Sequence, residues 1–153
     1  MATKVRQGQI KNEVRCRAYM GSTYSNFVAN TMTKIPLDTE NYDSNGDFDS
    51  TTNYRFTAPV SGYYQVSASI LFTNLAADNR HSLSIYKNGS RDSGADMNNG
   101  GHTQFVSVNH SDIIYLAKDD YIELYGRVVT GSTTDATAGN NYTFMAVHLL
   151  SEA

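Results

Sequence analysis

Strict alternation of apolar and polar side chains is the feature that most constrains this chain. Between positions 64 and 72 every second residue is apolar or aromatic, and the residues are Tyr64, Val66, Ala68, Ile70 and Phe72. Gln65, Ser67 and Ser69 lie between them. Successive side chains of a β-strand point to opposite faces of the sheet, so the pattern predicts a long strand with one buried face.

Three further segments repeat this period and are separated by turn residues. Leu83 and Ile85 alternate with serines up to Asn88-Gly89, which favours a tight hairpin because both residues tolerate positive φ. Strands are also predicted at 106–116 and 121–125, on either side of a turn at 118–120. No comparable window has a helical period. The chain is therefore predicted to be an all-β antiparallel sandwich of about ten strands, with long loops at 21–33, 91–102 and 130–141.

The composition allows one folded domain and disfavours several classes of protein. Of the 153 residues, 40% are hydrophobic and 18% are charged, which is typical of a globular domain. The net charge of −3 and the lack of Lys or Arg runs give no reason to expect nucleic-acid binding. Cys16 is the only cysteine, so no intrachain disulfide forms, and its alternating surroundings predict a buried thiol.

Targeting signals are also missing from the sequence. No stretch approaches the roughly 20 apolar residues of a membrane span. The first residues lack the apolar segment of a signal peptide. We therefore expect a protein that neither inserts into a membrane nor leaves the cell by the general secretory route.

The run at 142–150 differs from the other strands because both of its faces are apolar. The two faces hold Phe144, Ala146 and Leu150, and Met145, Val147 and Leu149. A strand with one wet face alternates more cleanly, so this one is predicted to be covered twice. Either a loop of the same chain lies over it, or one face packs on the core and the other on a neighbouring subunit. The second interpretation is favoured.

Sequence signatures of catalysis are absent. There is no Gly-x-Ser-x-Gly elbow, phosphate-binding loop, dinucleotide fingerprint or zinc helix. The four histidines are too far apart in the sequence for metal-ligand spacing, and they are His81, His102, His110 and His148. The chain is predicted not to be an enzyme and to need no cofactor. An accessory domain of an enzyme is the alternative of another class.

One acidic segment has two interpretations. Asp43, Asn45, Asp47 and Asp49 place oxygen ligands at alternate positions, as at the start of a calcium loop. However, Gly46 falls at the fourth position rather than the sixth, and no Glu occupies the twelfth. The alternative is a turn in which Asp and Asn side chains bind their own backbone. The turn is favoured, and calcium stays the weaker candidate.

The order of residues between 37 and 64 resembles a known family. The matching positions are Leu37, Asp43, Phe48, Phe56, Gly62 and Tyr64. Their order is similar to the signature of the jelly-roll head of complement component one-q and its tumour-necrosis-factor-like relatives. Val66 and Ala68 stand where that family prefers aromatic residues, and one extra residue separates Phe48 from Phe56. These departures indicate a distant member, from a phage or a bacterium. The resemblance covers residues 14–151.

This resemblance implies a compact homotrimer of jelly-roll domains whose last strand lines the threefold axis. The implied interface residues are Tyr142, Phe144 and His148 or, in the other register, Met145, Val147 and Leu149. A slip of one residue exchanges the two faces of a strand, so the sequence leaves both sets open. The resemblance also divides the chain into an arm at 1–13 and a jelly-roll domain at 14–153.

The predicted function is a non-enzymatic structural or adhesive module on the surface of a phage virion. The module would be a capsid decoration, a head fibre or a tail-tip component. Residues 2–13 would grip a capsid or tail protein, and the trimer would bind a host-surface glycan or protein. The alternative is a bacterial surface or secreted lectin-like module, for which the eleven tyrosines would supply stacking rings.

Overall fold

The computed structural model describes residues 13–130 and 133–153, and every regular element in this part of the chain is a β-strand. The strands are β1 (Arg15–Tyr19), β2 (Thr33–Lys34), β3 (Thr39–Asp43), β4 (Phe48–Asp49), β5 (Arg55–Thr57), β6 (Gly62–Thr73), β7 (Arg80–Lys87), β8 (Ser90–Asn98), β9 (Phe105–Leu116), β10 (Tyr121–Val128), β11 (Asp135–Ala136) and β12 (Phe144–Glu152). The predicted all-β class is confirmed. Three of the twelve strands, β2, β4 and β11, have only two residues each.

The strands form two six-stranded antiparallel sheets. The A sheet has the order β9-β6-β12-β1-β3, with β11 paired to the end of β6. The B sheet has the order β4-β5-β10-β7-β8, with β2 paired to β10. Strands distant in sequence are neighbours in each sheet, and the two sheets pack face to face as a jelly roll.

The core lies between the sheets and contains the face of β6 that the alternation predicted. Tyr64, Ile70 and Phe72 are fully buried there, and β7 of the B sheet contributes Leu83 and Ile85, which are also fully buried. The predicted hairpin joins β7 to β8 through Asn88 and Gly89, both with positive φ. The alternation therefore predicted these strands and their facing correctly.

The loop predicted at 91–102 is wrong for most of its length, because β8 runs from Ser90 to Asn98. β8 pairs with β7 along the edge of the B sheet, and most of its residues are exposed. An edge strand that buries little needs no apolar alternation. Its composition of Ser, Asp, Gly and Asn therefore resembles that of a loop.

Candidate assembly face on the A sheet

The residues that carry the family resemblance hold one end of the sandwich together. Phe48 and Phe56 face each other across β4 and β5, and the Phe56 ring lies 5.6 Å from that of Tyr64. The buried Tyr64 hydroxyl donates a hydrogen bond to the Val60 carbonyl oxygen at 2.8 Å. Leu37 is fully buried in the same core. These four positions therefore build the fold and offer no exposed binding group.

Gly62 belongs to the same set for a steric reason. A Cβ added to Gly62 would lie 2.8 Å from the Leu149 side chain and closer still to the carbonyl oxygen of Ser151. Both residues belong to β12, whose end pairs with Gly62 in the same sheet. Glycine therefore allows β12 to pair with the start of β6.

The acidic segment that includes Asp43 and Asp49 forms two side-chain-capped turns. The Asp43 carboxylate accepts hydrogen bonds from the backbone N–H groups of Asn45, Gly46 and Phe48, at 3.2, 3.1 and 2.7 Å. The Asp49 carboxylate accepts hydrogen bonds from the backbone N–H groups of residues 51, 52 and 53. These hydrogen bonds are the ones expected for a turn in which Asp side chains bind their own backbone.

The remaining members of the acidic segment bind each other. Asn45 donates its side-chain N–H to the Asp47 carboxylate at 3.3 Å. Among residues 13–130 and 133–153, no group of three or more His, Cys, Asp or Glu side chains is arranged to hold a metal ion. Calcium at Asp43, Asn45, Asp47 and Asp49 stays a prediction.

The single thiol and one of the histidines lie in the core. Cys16 is 1% exposed, and burial, together with the carboxylates of Asp43, Asp47 and Glu40, raises the pKa of its thiol. This agrees with the buried thiol that the sequence predicted. His81 is fully buried against Phe72, and burial lowers the pKa of its imidazole.

The last strand, β12, lies in the middle of the A sheet between β6 and β1. Met145 and Val147 are at most 2% exposed and pack in the core, and Leu149 packs against it. Phe144, Ala146 and His148 therefore point away from the core. Of the two alternatives for an interface, the set with Phe144 and His148 is the one on the outer face of the sheet.

The two ends of this outer face are apolar. At one end Tyr63 on β6 and Tyr115 on β9 pack edge to face, with ring centroids 5.5 Å apart. Ile113 lies beside them on β9, and it is 55% exposed. At the other end Phe105 on β9 is 63% exposed, and Tyr142 precedes β12 and is 43% exposed. These large apolar side chains are left without cover in the single subunit.

The middle of the outer face is polar. The Gln65 side chain on β6 donates to the Ser111 hydroxyl on β9 at 2.8 Å, and the hydroxyls of Ser67 and Ser111 are 3.1 Å apart. His148 on β12 pairs directly with Gln65 on one side and with Arg15 of β1 on the other. The outer face of the A sheet thus consists of a polar band between two apolar ends.

Three shallow grooves open on this outer face. The first runs over the middle of the sheet and is lined by Arg15, Tyr42, Gln65, Ser67, Ala146, Val147 and His148. The second lies beside it, between Phe144 and Ser111. The third, at one apolar end, is lined by Leu71, Phe105, Ser107, Thr137, Asn141 and Tyr142. Grooves and projecting rings therefore alternate across one surface.

Arg17 borders the same surface at the apolar end near Phe144. Its guanidinium lies 4.0 Å from the centre of the Phe144 ring, a cation–π contact. It also donates hydrogen bonds to the Asn41 side chain and the Asn140 carbonyl oxygen. These contacts fix the orientation of Phe144 before any partner arrives.

None of the described elements is a helix long and apolar enough to cross a membrane. No protein-family model matches the chain, and no curated protein matches it either.

Solved structures do share its fold. The globular domain of zebrafish complement 1qA protein has a TM-score of 0.66 at 13% identity, over 93% of this chain and 100% of that chain. Murine APRIL has a TM-score of 0.64 at 11% identity, over 91% and 100%. Eiger TNF from S. frugiperda has a TM-score of 0.60 at 13% identity, over 94% and 96%. At these identities the matches confirm the predicted fold, the jelly roll of the complement one-q and tumour-necrosis-factor-like proteins.

Proposed function

We propose that this protein is a non-enzymatic binding module that assembles into a homotrimer through the outer face of the A sheet. The observation that carries the proposal is the gathering of exposed apolar side chains on that one face. They are Tyr42, Tyr63, Phe105, Ile113, Tyr115 and Tyr142, each at least 43% exposed. Large exposed apolar side chains that gather on one surface, here at both ends of a polar band, are typical of a protein–protein interface.

The shape of the face supports a second and third copy of the chain as the partner. Exposed side chains of the edge strand β9, Phe105 and Ile113, project from the same face whose middle groove is lined by the small residues Ser67 and Ala146. A ring of three subunits needs two different contact patches on each subunit, one fitting the other. Projections at an edge and grooves in the middle of the sheet meet that need. The family resemblance independently implies threefold assembly.

We assign the trimer to the surface of a phage virion, as a capsid decoration, a head fibre or a tail-tip component. Threefold assembly repeats each exposed loop three times, so weak contacts with a host-surface glycan or protein add up to strong binding. Residues 2–13 would attach the trimer to a capsid or tail protein. Residues 1–12 lie outside the described residues. Glu13 is held at the domain by its carbonyl oxygen, which accepts a bond from the Ser44 hydroxyl at 2.6 Å.

Light scattering at micromolar concentration tests the assembly directly. We expect a mass of three times the 16.9 kDa of the chain. A stable monomer would contradict the proposal, because the apolar ends of the A sheet would then be left in water.

A bacterial surface or secreted lectin-like module is the alternative, and the outer face of the B sheet favours it. The rings of Tyr86 and Tyr125 stack there at 4.0 Å, and the guanidinium of Arg55 covers Tyr121 at 4.3 Å. Aromatic rings beside hydrogen-bonding groups suit a saccharide. Binding to a glycan array without copurification with virions would favour this alternative over the virion.

A further inference from the structure

We infer that the outer face of the B sheet binds an acidic saccharide, a sugar chain that carries carboxylate or phosphate groups. The inference deepens the proposed function and rests on it, because assembly through the A sheet leaves the B sheet on the outside of the trimer. The saccharide is then the host-surface ligand of the binding module. The site consists of three tyrosines and two arginines, and we call these residues the B-sheet site: Tyr86, Tyr121, Tyr125, Arg55 and Arg91.

The strand register places two arginines in one row across the B sheet. Glu123 on β10 pairs with Arg55 of β5 on one side and with Tyr86 of β7 on the other. Tyr86 in turn pairs with Arg91 of the edge strand β8. At about 4.8 Å per strand, the backbones of Arg55 and Arg91 lie about 14 Å apart across the sheet. That span suits an extended sugar chain rather than a single small ion.

The tyrosines present their rings on this face of the sheet. Ile122 and Leu124 on β10 are fully buried in the core, so the residues that alternate with them, Tyr121 and Tyr125, point outward. The Tyr125 ring stacks on that of Tyr86 with centroids 4.0 Å apart, and all three tyrosines are partly exposed. An aromatic ring offers an apolar surface to the face of a sugar ring, and the tyrosine hydroxyl offers a hydrogen bond.

The carboxylate in the middle of the row, Glu123, is withdrawn from the ligand. It is 5% exposed, and its Oε1 atom lies 2.5 Å from the Lys34 ammonium. Its Oε2 atom accepts a hydrogen bond from the Tyr125 hydroxyl at 3.3 Å. The ion pair balances the negative charge, and the hydrogen bond holds the Tyr125 ring in place. A ligand therefore meets aromatic rings and guanidinium groups here rather than a bare carboxylate.

Arg55 is the residue that favours an acidic ligand over a neutral one. Its guanidinium lies 4.3 Å from the centre of the Tyr121 ring, which fixes its orientation. Among the described residues it forms no ion pair, and the carboxylate of its neighbour on β4, Asp49, accepts backbone hydrogen bonds instead. A guanidinium binds a carboxylate or phosphate through two parallel N–H bonds. Arg91, exposed at the other end of the row, supplies a second cation.

Binding to immobilised saccharides tests the inference with the full chain. The probe is an array of bacterial surface polysaccharides in which uronate- or phosphate-bearing chains accompany neutral ones, measured at physiological salt. We expect the wild type to bind acidic members more than about tenfold more tightly than neutral ones, because each charge-assisted hydrogen bond is lost with a neutral chain. Equal binding of the two classes overturns the inference. A trimer that binds no member also overturns it, and leaves a protein as the ligand of the module.

Two variants assign binding to the B-sheet site. Arg55→Gln removes the guanidinium and keeps a polar side chain, and we expect its affinity for acidic members to fall more than about tenfold. Tyr86→Leu removes a ring but leaves the hydrogen bond between Tyr125 and Glu123, and it is expected to weaken binding of every member. An Arg55→Gln chain that binds like the wild type overturns the inference.

The control variant and the mass of each chain separate this inference from the proposed assembly. Lys118→Gln removes an exposed cation from the turn before β10, outside the B sheet, and is expected to bind like the wild type. If it loses as much affinity as Arg55→Gln, general charge and not the B-sheet site holds the saccharide. All three variants should be trimers by light scattering, because the altered side chains lie outside the A sheet. A monomeric wild type contradicts the proposed assembly itself.

Discussion

At the scale of single residues, His81 is a titratable side chain buried in the core. It is fully buried on β7, its ring lies 5.1 Å from that of Phe72, and both ring nitrogens lack a hydrogen-bond partner. Burial is the main cause that lowers the pKa of this imidazole. The folded chain therefore holds His81 neutral at a pH where the unfolded chain would bind a proton.

This sets the direction in which stability changes with pH. Since the pKa of His81 is lower in the folded state, its contribution to stability is present above the unfolded value near 6.5 and is lost as the pH falls below it. We expect the free energy of unfolding to fall by up to about 1.4 kcal/mol per pH unit in that window. Replacing His81 by leucine is expected to flatten this dependence.

Urea unfolding at pH 8, 6.5 and 5.5 measures the effect. Both chains are measured at the same protein concentration, so that a difference in their pH dependence comes from residue 81. An equal loss of stability in the two chains on acidification would show that His81 is not the group responsible.

At the scale of elements, the edge strand β9 carries three of the large exposed apolar side chains of the A-sheet face, Phe105, Ile113 and Tyr115. Replacing Ile113 by aspartate would place a carboxylate on the outer face of the A sheet, where a neighbouring subunit would cover it. We expect more than a tenfold loss of association per interface, or more than about 1.4 kcal/mol. The subunit should remain folded because Ile113 is exposed in it. Sedimentation and circular dichroism measure the two properties.

Val28 provides the matched control. It is also an exposed β-branched residue, 63% exposed, but it lies in the segment before β2 rather than on the A sheet. The Val28→Asp chain is expected to assemble like the wild type. If both aspartate variants dissociate equally, general surface charge and not the A-sheet face controls assembly.

The strands themselves show what sequence reasoning can and cannot predict. The alternation of apolar and polar residues was enough to predict β6, β7, β9 and β10, because each has one face on the core and the other face turned away from it. It failed for the edge strand β8, which buries little. It also left the facing of β12 undecided because both faces are apolar. Only the pairing of Met145 with Ala68 and Ala18, both core residues, settles which face points inward.

The candidate face illustrates the same limit. Its members come from β1, β3, β6, β9 and β12, and their positions in the sequence extend from 15 to 148. The polar band in particular has no sequence signature, since Gln65, Ser67 and Ser111 are ordinary residues of a wet strand face. Only the register of β6 with β9 brings them into one hydrogen-bonded group.

At the scale of the whole molecule, the proposed division of labour between arm and trimer can be tested by deletion. Residues 1–12 contain Lys4, Arg6 and Lys11 and no carboxylate, which suits an acidic partner surface. We expect the full chain to copurify with virions and a chain lacking residues 1–12 to lose this binding. The shortened chain should still be a trimer by light scattering. Undiminished copurification would assign attachment to the domain instead.

The central place of β12 also has a consequence for biosynthesis. β12 fills the space between β1 and β6, strands that are made long before it. Until the ribosome has added residues 144–152, these two strands have no partner along their facing edges, and the A sheet is divided. The outer face that we propose for assembly is then incomplete as well. In the proposed assembly, subunits would therefore associate only after synthesis of the domain is complete.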